Sequence, residues 1–363
     1  MIELLDEDAP EPIRNFVRNN HDVEFTQYHR RGQMGEVYFG RRLKLNDDVA
    51  YKFYWAKPDY DSSEEAVILR HISHKNILRL YELKFLPPSF AYFVTPKLSC
   101  DLQQQIEVGR LSSRRALEIT ADILLGVTEL HSKHQLVHRD LKPPNVLLDV
   151  KLSVIADLGA VKKISEEKDF VNASKATCFY LPPESIEENK YYFQSDLYQV
   201  GLILFQSLGG FFPINTPYDW LTSKQRRELS LVRDGTQQQQ EFDRMIGKQI
   251  LKGTLADLHT LPQYLDGGFK RVLAKALQID HSRRFKNSSE FLQAVHGLIR
   301  TYPDYSQQGD TLLIIHGTHS EYRANKDAQG RWSVEKRIDG KQWRRNNNHD
   351  GRLTSILRIC KNK

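Results

Sequence analysis

The chain has 363 residues, 40% of them hydrophobic and 27% charged, with a formal net charge of +6. Those figures exclude a mainly disordered chain and leave room for one large domain or two smaller ones, whose core needs no covalent staples. The three cysteines, Cys100, Cys178 and Cys360, are an odd set without CxxC spacing, which excludes a disulfide scaffold and fits a reducing compartment.

Residues 1–22 carry acids and two prolines and read as a leader or capping segment. They lack the basic start and apolar core of an export signal. Val23–Phe25, Val37–Phe39 and Val49–Tyr54 carry strand signals, with glycines between the first two. Residues 62–73 have helical spacing, with Ala66, Leu69 and Ile72 on one face. Ile77–Leu83 and Phe90–Thr95 return to strand composition around a Pro87-Pro88 turn.

Beyond residue 110 the period lengthens to that of helices. Ser112-Ser113 starts one, and Ala116, Ile119, Ile123, Leu124, Val127 and Leu130 keep a 3.6-residue repeat. Short strands are expected at Val146–Leu148 and Val154–Ile155, and helices at 195–208, 222–233, 238–250, 267–277 and 288–300. The longest apolar run, Val200–Phe212, is too short to span a bilayer, so no membrane segment is expected.

A linker is expected at 301–310, where Pro303, Gly309 and polar residues cluster. Residues 311–363 then read as a small β-rich domain. Its strands fall at Thr311–His316, at Arg331–Ile338 and Gln342–Arg345 around an Asp339-Gly340 turn, and at Leu353–Cys360. Residues 331–363 hold ten Lys or Arg against three acids, so this stretch alone exceeds the net charge of the whole chain. Three readings stand for it: a solvated appendage, a docking module for an acidic partner, or a nucleic-acid contact in which Arg344-Arg345 supply charge and Trp332 and Trp343 supply stacking surface.

Gly32 and Gly35 let backbone N–H groups approach phosphate, although an ordinary turn would use the same residues. Lys52, at the centre of a strand, is either an edge-strand solubility residue or an ammonium for nucleotide phosphates. In the second case Glu65, or its neighbour Glu64, would steady it. The run His138-Arg139-Asp140-Leu141-Lys142-Pro143-Pro144-Asn145 is far more specific. Asp140 suits proton acceptance from a hydroxyl, Asn145 suits Mg²⁺, and Lys142 suits charge building on a transferred phosphoryl group. Asp157-Leu158-Gly159 follows at a strand exit and adds a second metal-ligating oxygen.

Taken in order, these blocks resemble a eukaryotic-type (Hanks-type) Ser/Thr protein kinase, over roughly residues 24–300. Leu181-Pro182-Pro183-Glu184, Asp196-Leu197-Tyr198-Gln199-Val200-Gly201 and Asp280 with Arg284 extend the match. The resemblance implies an α+β bilobal fold: a β-rich N-lobe at 23–95, a hinge at 96–101 and a helical C-lobe at 102–300. It implies ATP and Mg²⁺ as cofactors, a protein substrate and γ-phosphoryl transfer to Ser/Thr hydroxyls. Asp140 becomes the base and Lys142 its partner. Lys52 pairs with Glu65, and Asn145 and Asp157 hold the metal. Gly32, Gly35, Val37, Ala50, Lys52, Thr95, Pro96, Leu98 and Asp101 form the nucleotide pocket, with Thr95 at the gatekeeper place and Asp101 toward the ribose. Glu184 and Arg284 form a buried structural pair. Ser174 is the preferred phosphosite, with autophosphorylation expected there, and Thr177 is the other candidate. A cytoplasmic signalling enzyme is the expected setting, and a catalytically weak scaffold is the alternative.

The match departs from the family at Arg30, where the first loop glycine is expected, and at Ala176 before Thr177. His131, His134 and His138 have a superficial metal spacing. His138, however, belongs to the catalytic loop, where the resemblance makes it a packing residue. Cys178 is either an inert thiol or a redox target.

Overall fold

The computed structural model describes residues 9–30, 35–55, 64–109, 111–165, 167–173, 178–317 and 320–361, with the side chains at 30, 64–67 and 361 outside that description. The chain divides into two compact units, residues 1–100 with 147–161, and residues 101–146 with 162–363. Among the described residues no helix is long and apolar enough to cross a membrane.

The first unit is built on a five-stranded antiparallel sheet. Its strands are β1 (Val23–Arg30), β2 (Glu36–Arg42), β3 (Asp47–Trp55), β4 (Glu82–Leu86) and β5 (Phe90–Pro96), in the order β1-β2-β3-β5-β4. The two-residue alternation of β3 decides what each face does. Val49, Tyr51 and Phe53 point to a buried side with Phe25, Tyr38, Tyr92 and Val94. Helix α1 (Glu11–Asn19) covers that side, burying Ile13 and Val17 and laying Phe16 against the rings of Tyr51, Phe53 and Tyr92. The described part of the expected leader or capping segment is therefore packed into the core. Ile13, Phe16 and Val17 recur at helical spacing, so the helix presents an apolar stripe to this aromatic face.

Ala50 and Lys52 lie on the opposite face of the sheet. The register pairs Lys52 with Val37 and Phe93, and Ala50 with Phe39 and Thr95. Helix α2 (Glu64–His71), the short strand Ser153–Ile155 and all but the first residue of the short strand Val146–Leu148 also belong to this unit. The strand expected at Ile77–Leu83 is not formed as such. Ile77 bridges Ile155 in parallel, Leu78 N–H bonds the Ile155 carbonyl, and the main-sheet strand starts only at Glu82. Buried Asn76 fixes this detour by donating its amide to the Ser153 carbonyl.

The second unit is mainly helical. Its helices are α3 (Leu102–Val108), α4 (Ser113–Thr128), α5 (Pro183–Glu187), α6 (Phe193–Ser207), α7 (Ser223–Ser230), α8 (Gly235–Leu251), α9 (Gly267–Ala276) and α10 (Ser288–Thr301). Helix α6 is buried nearly all round, so its continuous apolar run is that of a central core helix. Helix α4 packs against α6 and α10. Glu184 and Arg284 form the expected buried pair, bidentate at 2.7 and 2.8 Å.

The basic tail belongs to this unit. A second antiparallel sheet runs in chain order through β6 (Asp304–Gln308), β7 (Thr311–His316), β8 (Ser320–Lys326), β9 (Trp332–Ile338) and β10 (Arg344–Arg345). Two expectations are corrected here. Part of the linker expected at 301–310 is strand β6, which pairs along β7 and buries Tyr305; with one large apolar residue facing inward, its composition resembles a loop. Leu353–Cys360 is not a strand but lies in helix α11 (Leu353–Lys361), where Leu353, Ile356, Leu357 and Cys360 recur at helical spacing and the last three are buried. Strand β8, with its sequence Ser-Glu-Tyr-Arg-Ala-Asn-Lys, carries only Tyr322 and Ala324 inward and gave no expectation of its own.

Candidate functional site

In the first unit the sheet register brings Val37, Ala50, Lys52 and Thr95 to one face. Lys52 lies over the Phe93 ring, 5.4 Å from its centroid, and its Nζ stands 3.9 Å from Oδ1 of Asp157. Asp157 has φ of +61°, a left-handed conformation at the exit from Ser153–Ile155, and a 3-10 turn at Leu158–Ala160 follows. This conformation re-aims a side chain that an extended strand would carry elsewhere. Gly35 has φ of +98°, and a Cβ there would lie 2.0 Å from the Phe53 carbonyl oxygen, so only glycine fits the start of β2. Arg30, at the place of the missing loop glycine, is the last residue of β1 and pairs with Glu36, in extended backbone that any residue adopts.

Past Thr95 the chain continues beside the start of β3. Lys97 N–H bonds the Asp48 carbonyl, its ammonium reaches Gln27 at 3.1 Å, and Ser99 N–H bonds the Leu148 carbonyl. Pro96 and Leu98 are thereby held on either side of a fixed residue. In the second unit Asp101 is the N-cap of α3. Its carboxylate accepts Gln104 N–H at 2.8 Å, and the Gln104 side chain closes the capping box. The helix terminus thus already engages the carboxylate assigned to the ribose.

The second unit also carries the residues expected to form the catalytic loop. Asp140 is buried, and its Oδ2 accepts from Lys142 Nζ at 2.8 Å and from Asn145 Nδ2 at 3.1 Å. Asn145 Nδ2 also bonds the Asp140 carbonyl at 2.8 Å, which turns the amide oxygen the other way. Oδ1 of Asp140 has no hydrogen-bond partner among the described residues. One oxygen of the carboxylate is therefore anchored and the other is left to accept a proton.

The loop backbone is fixed from α6. Asp196 accepts His138 N–H at 2.8 Å and Arg139 N–H at 3.0 Å, while Gln199, one turn on, accepts Leu141 N–H at 2.8 Å. Asp140 N–H goes to Nδ1 of His138 at 3.3 Å. Every N–H from His138 to Leu141 thus has a partner, which holds Arg139 in its left-handed conformation at φ of +67°. Burial alone would push the Asp196 carboxyl up. The hydrogen bond from His131, the charges of His131 and His138 and the His138 N–H outweigh it and hold the group below the ordinary carboxylate value. His131 is accounted for by this contact, 2.7 Å from Asp196.

The Arg139 guanidinium donates to the Asn172 carbonyl at 2.8 Å, tying the catalytic loop to the segment that follows Asp157-Leu158-Gly159. Cys178 is half-buried, and burial, with Asp243 beside it, pushes its thiol up to about 12, which suits an inert thiol. Gly32, Ser174, Thr177 and the side chain of Glu65 lie outside the described residues.

Asp196 was legible as part of a motif, but Gln199 was not singled out. Its signal is a long amide inside the run from Leu197 to Phe205, otherwise free of polar side chains except Tyr198. A position like that has to find internal partners.

The protein kinase domain family matches residues 30–296. Human serine/threonine-protein kinase D2 is 36% identical over 203 residues, covering 52% of this chain and 22% of that protein. Serine/threonine-protein kinase 36 of Pongo abelii is 31% identical over 202 residues, covering 53% and 15%. The 3-phosphoinositide-dependent protein kinase 1 of Arabidopsis thaliana is 29% identical over 231 residues, covering 58% and 46%. The chain spans about a fifth of the length of the first of these relatives.

Proposed function

Because the chain belongs to the protein kinase domain family, we propose that it transfers the γ-phosphoryl group of ATP to serine or threonine hydroxyls of a protein substrate. The observation that carries this reading is the state of Asp140: one carboxylate oxygen held by Lys142 and Asn145, the other buried and unpartnered among the described residues.

In the proposed reaction Oδ1 of Asp140 accepts the proton of the acceptor hydroxyl as its oxygen bonds the γ-phosphorus, and ADP departs with the electrons of the broken P–O bond. Lys142, 2.8 Å from Asp140, offsets negative charge on the transferred group. Lys52 meets the α- and β-phosphates, and Val37, Ala50 and Thr95, on the same sheet face, form the wall against the base. Pro96 contributes its carbonyl and Leu98 its N–H. Gly35 supports close approach of the loop backbone, for which Gly32 is the second expected glycine.

Asn145 and Asp157 would hold Mg²⁺. Both offer hard oxygen donors, and the Asn145 amide nitrogen is already committed to Asp140, which leaves its oxygen for a cation. When bound, the ion neutralises phosphate charge. Autophosphorylation at Ser174, a Thr177 contact to Asp140 and a pairing of Glu65 with Lys52 are further parts of the proposal, as is a cytoplasmic signalling role.

For the tail, the docking reading for an acidic partner is retained over nucleic acid. Trp343 already carries the guanidinium of Arg323 at 4.8 Å and that of Arg337 at 4.7 Å, and these arginines pair with Glu335 and Glu321. The indole is engaged within the sheet, and the exposed cations Arg331, Lys341, Arg344 and Arg345 remain at the surface.

The test is transfer of label from γ-labelled ATP to the chain itself and to a generic protein, for wild type and Asp140→Asn. Labelling is expected from wild type and to fall by about 10²-fold or more in the variant. Equal labelling in both removes Asp140 from the role, and none in either overturns the kinase reading.

A further inference from the structure

Gln199 is completely buried in α6, and its amide is used on both sides. Oε1 accepts Leu141 N–H at 2.8 Å and lies 2.8 Å from the Tyr191 hydroxyl. Nε2 donates to the Tyr180 carbonyl at 3.0 Å and, at the long limit of 3.5 Å, to the Arg139 carbonyl. The orientation is fixed by chemistry, since Leu141 N–H can only donate and the Tyr180 carbonyl can only accept. The residues it holds, Arg139 and Leu141, flank Asp140 on either side. Tyr180 lies beyond Cys178, in the segment between Asp157 and Glu184 that holds the candidate phosphosites. Its ring is anchored separately, by its hydroxyl on Gln206 at 3.1 Å.

We propose that Gln199 is a positioning residue for phosphoryl transfer: it clamps the backbone on both sides of Asp140 and couples it to the segment carrying Tyr180. The proposal rests on the kinase reading and adds a residue to it. The chemical argument is one of capacity. A primary amide offers an acceptor for one strand of backbone and a donor for another from a single planar group without titrating, at a depth where water cannot replace either. A carboxylate at 199 would place negative charge against two carbonyls, and an apolar side chain would leave Leu141 N–H and the Tyr180 carbonyl without their partner. Tyr191 completes the cluster. Burial, with the charge of Asp196 next, pushes its hydroxyl well above its ordinary value, so it stays a proton donor between Asp196 and Gln199.

The experiment compares wild type, Gln199→Met, Asp140→Asn and the double variant in the full chain, with steady-state kinetics for protein phosphorylation and thermal melting. Methionine keeps the volume and removes the bonds. Gln199→Met is expected to lower kcat by about 10- to 100-fold while the KM for ATP stays within about twofold, because the reacting geometry is lost and nucleotide contacts are not. In the Asp140→Asn background the same change should cost nothing further, since Gln199 acts through Asp140. Tyr191→Phe, which deletes one hydroxyl of the cluster, should shift kcat in the same direction by less, and it decides the matter if Gln199→Met does not fold. Unchanged kcat in the folded Gln199 variant, or an equal loss in both backgrounds, overturns the positioning role and leaves the kinase reading intact. Absence of transfer by wild type overturns both.

Discussion

The carboxylate of Asp304 accepts the backbone N–H of Arg114 at 2.8 Å, across 190 residues of chain. Arg114 is in the first turn of α4, where an amide has no partner inside the helix and the helix dipole favours an anion. The contact is reciprocated. The Arg114 guanidinium bonds the carbonyls of Ile299 and Tyr302, Tyr305 N–H bonds the Ser113 hydroxyl at 2.9 Å, and the Tyr305 ring lies 5.6 Å from that of Tyr264. The basic tail is thus joined to the helical body through an acid at the first residue of its first strand.

Replacing Asp304 by alanine should therefore cost about 1–2 kcal/mol, the usual effect of losing an anionic cap. Equilibrium unfolding of the full chain would read it. The same variant should keep its phosphotransfer rate at temperatures where it is folded. An unchanged unfolding curve would mean that the Ser112 cap of α4 suffices alone.

Arg284 and Glu184 are both almost fully buried, and the pair is extended by Ser195, which donates to Glu184. Removing one partner leaves a buried charge with no opposite. Arg284→Met or Glu184→Gln is expected to lose about 3–5 kcal/mol, whereas the double replacement should lose less than the two together. Denaturant titration of the three variants tests this, and additive losses would show that the two groups act independently.

Asp196 supplies a pH dependence. Its carboxyl is held below its ordinary value of 3.8, so the folded state binds its proton more weakly than the unfolded chain does. The resulting stability is fully present above 3.8 and is lost as pH falls through the lower folded value. Asp196→Asn should be clearly less stable than wild type at neutral pH, and the gap should narrow on acidification below about pH 4. A gap that stays constant there would assign the acid sensitivity to other groups.

Gly35→Ala puts a methyl group into the Phe53 carbonyl at a backbone conformation that alanine rarely adopts. The start of β2 must shift, at a cost of about 1–3 kcal/mol. Because β2 carries Val37 on the proposed nucleotide face, ATP binding should weaken while the catalytic loop of the second unit is untouched. Nucleotide titration against binding of an acceptor peptide separates the two effects.

The residues of the proposed site were readable in advance wherever their identity and spacing are local. His138 to Asn145 fall within one loop, and the alternation of Val49 to Phe53 already assigns Lys52 to the face away from the aromatic core. The misread elements had their reasons elsewhere in the chain. The segment holding helix α1 was left open between leader and capping segment, and the partners that hold it are Tyr51, Phe53 and Tyr92. Strand β6 has a polar, loop-like sequence because the side chain that matters is the single inward Tyr305. Asp101, expected toward the ribose, also caps the helix that begins at the next residue through one carboxylate oxygen, a role any N-cap aspartate can take.

By itself the sequence determined the order of the kinase blocks, the two-residue and 3.6-residue periods of most elements, and the concentration of charge after residue 331, because each of these is carried by neighbouring residues. Tertiary structure alone decided that Gln199 and Asp196 hold the loop around Asp140, that α1 closes the aromatic face, and that Asp304 seats the tail on α4. In each case the partners are tens to nearly two hundred residues apart. What selects them is the need to pair every buried donor and acceptor and to cover every apolar face, a condition that local sequence cannot express.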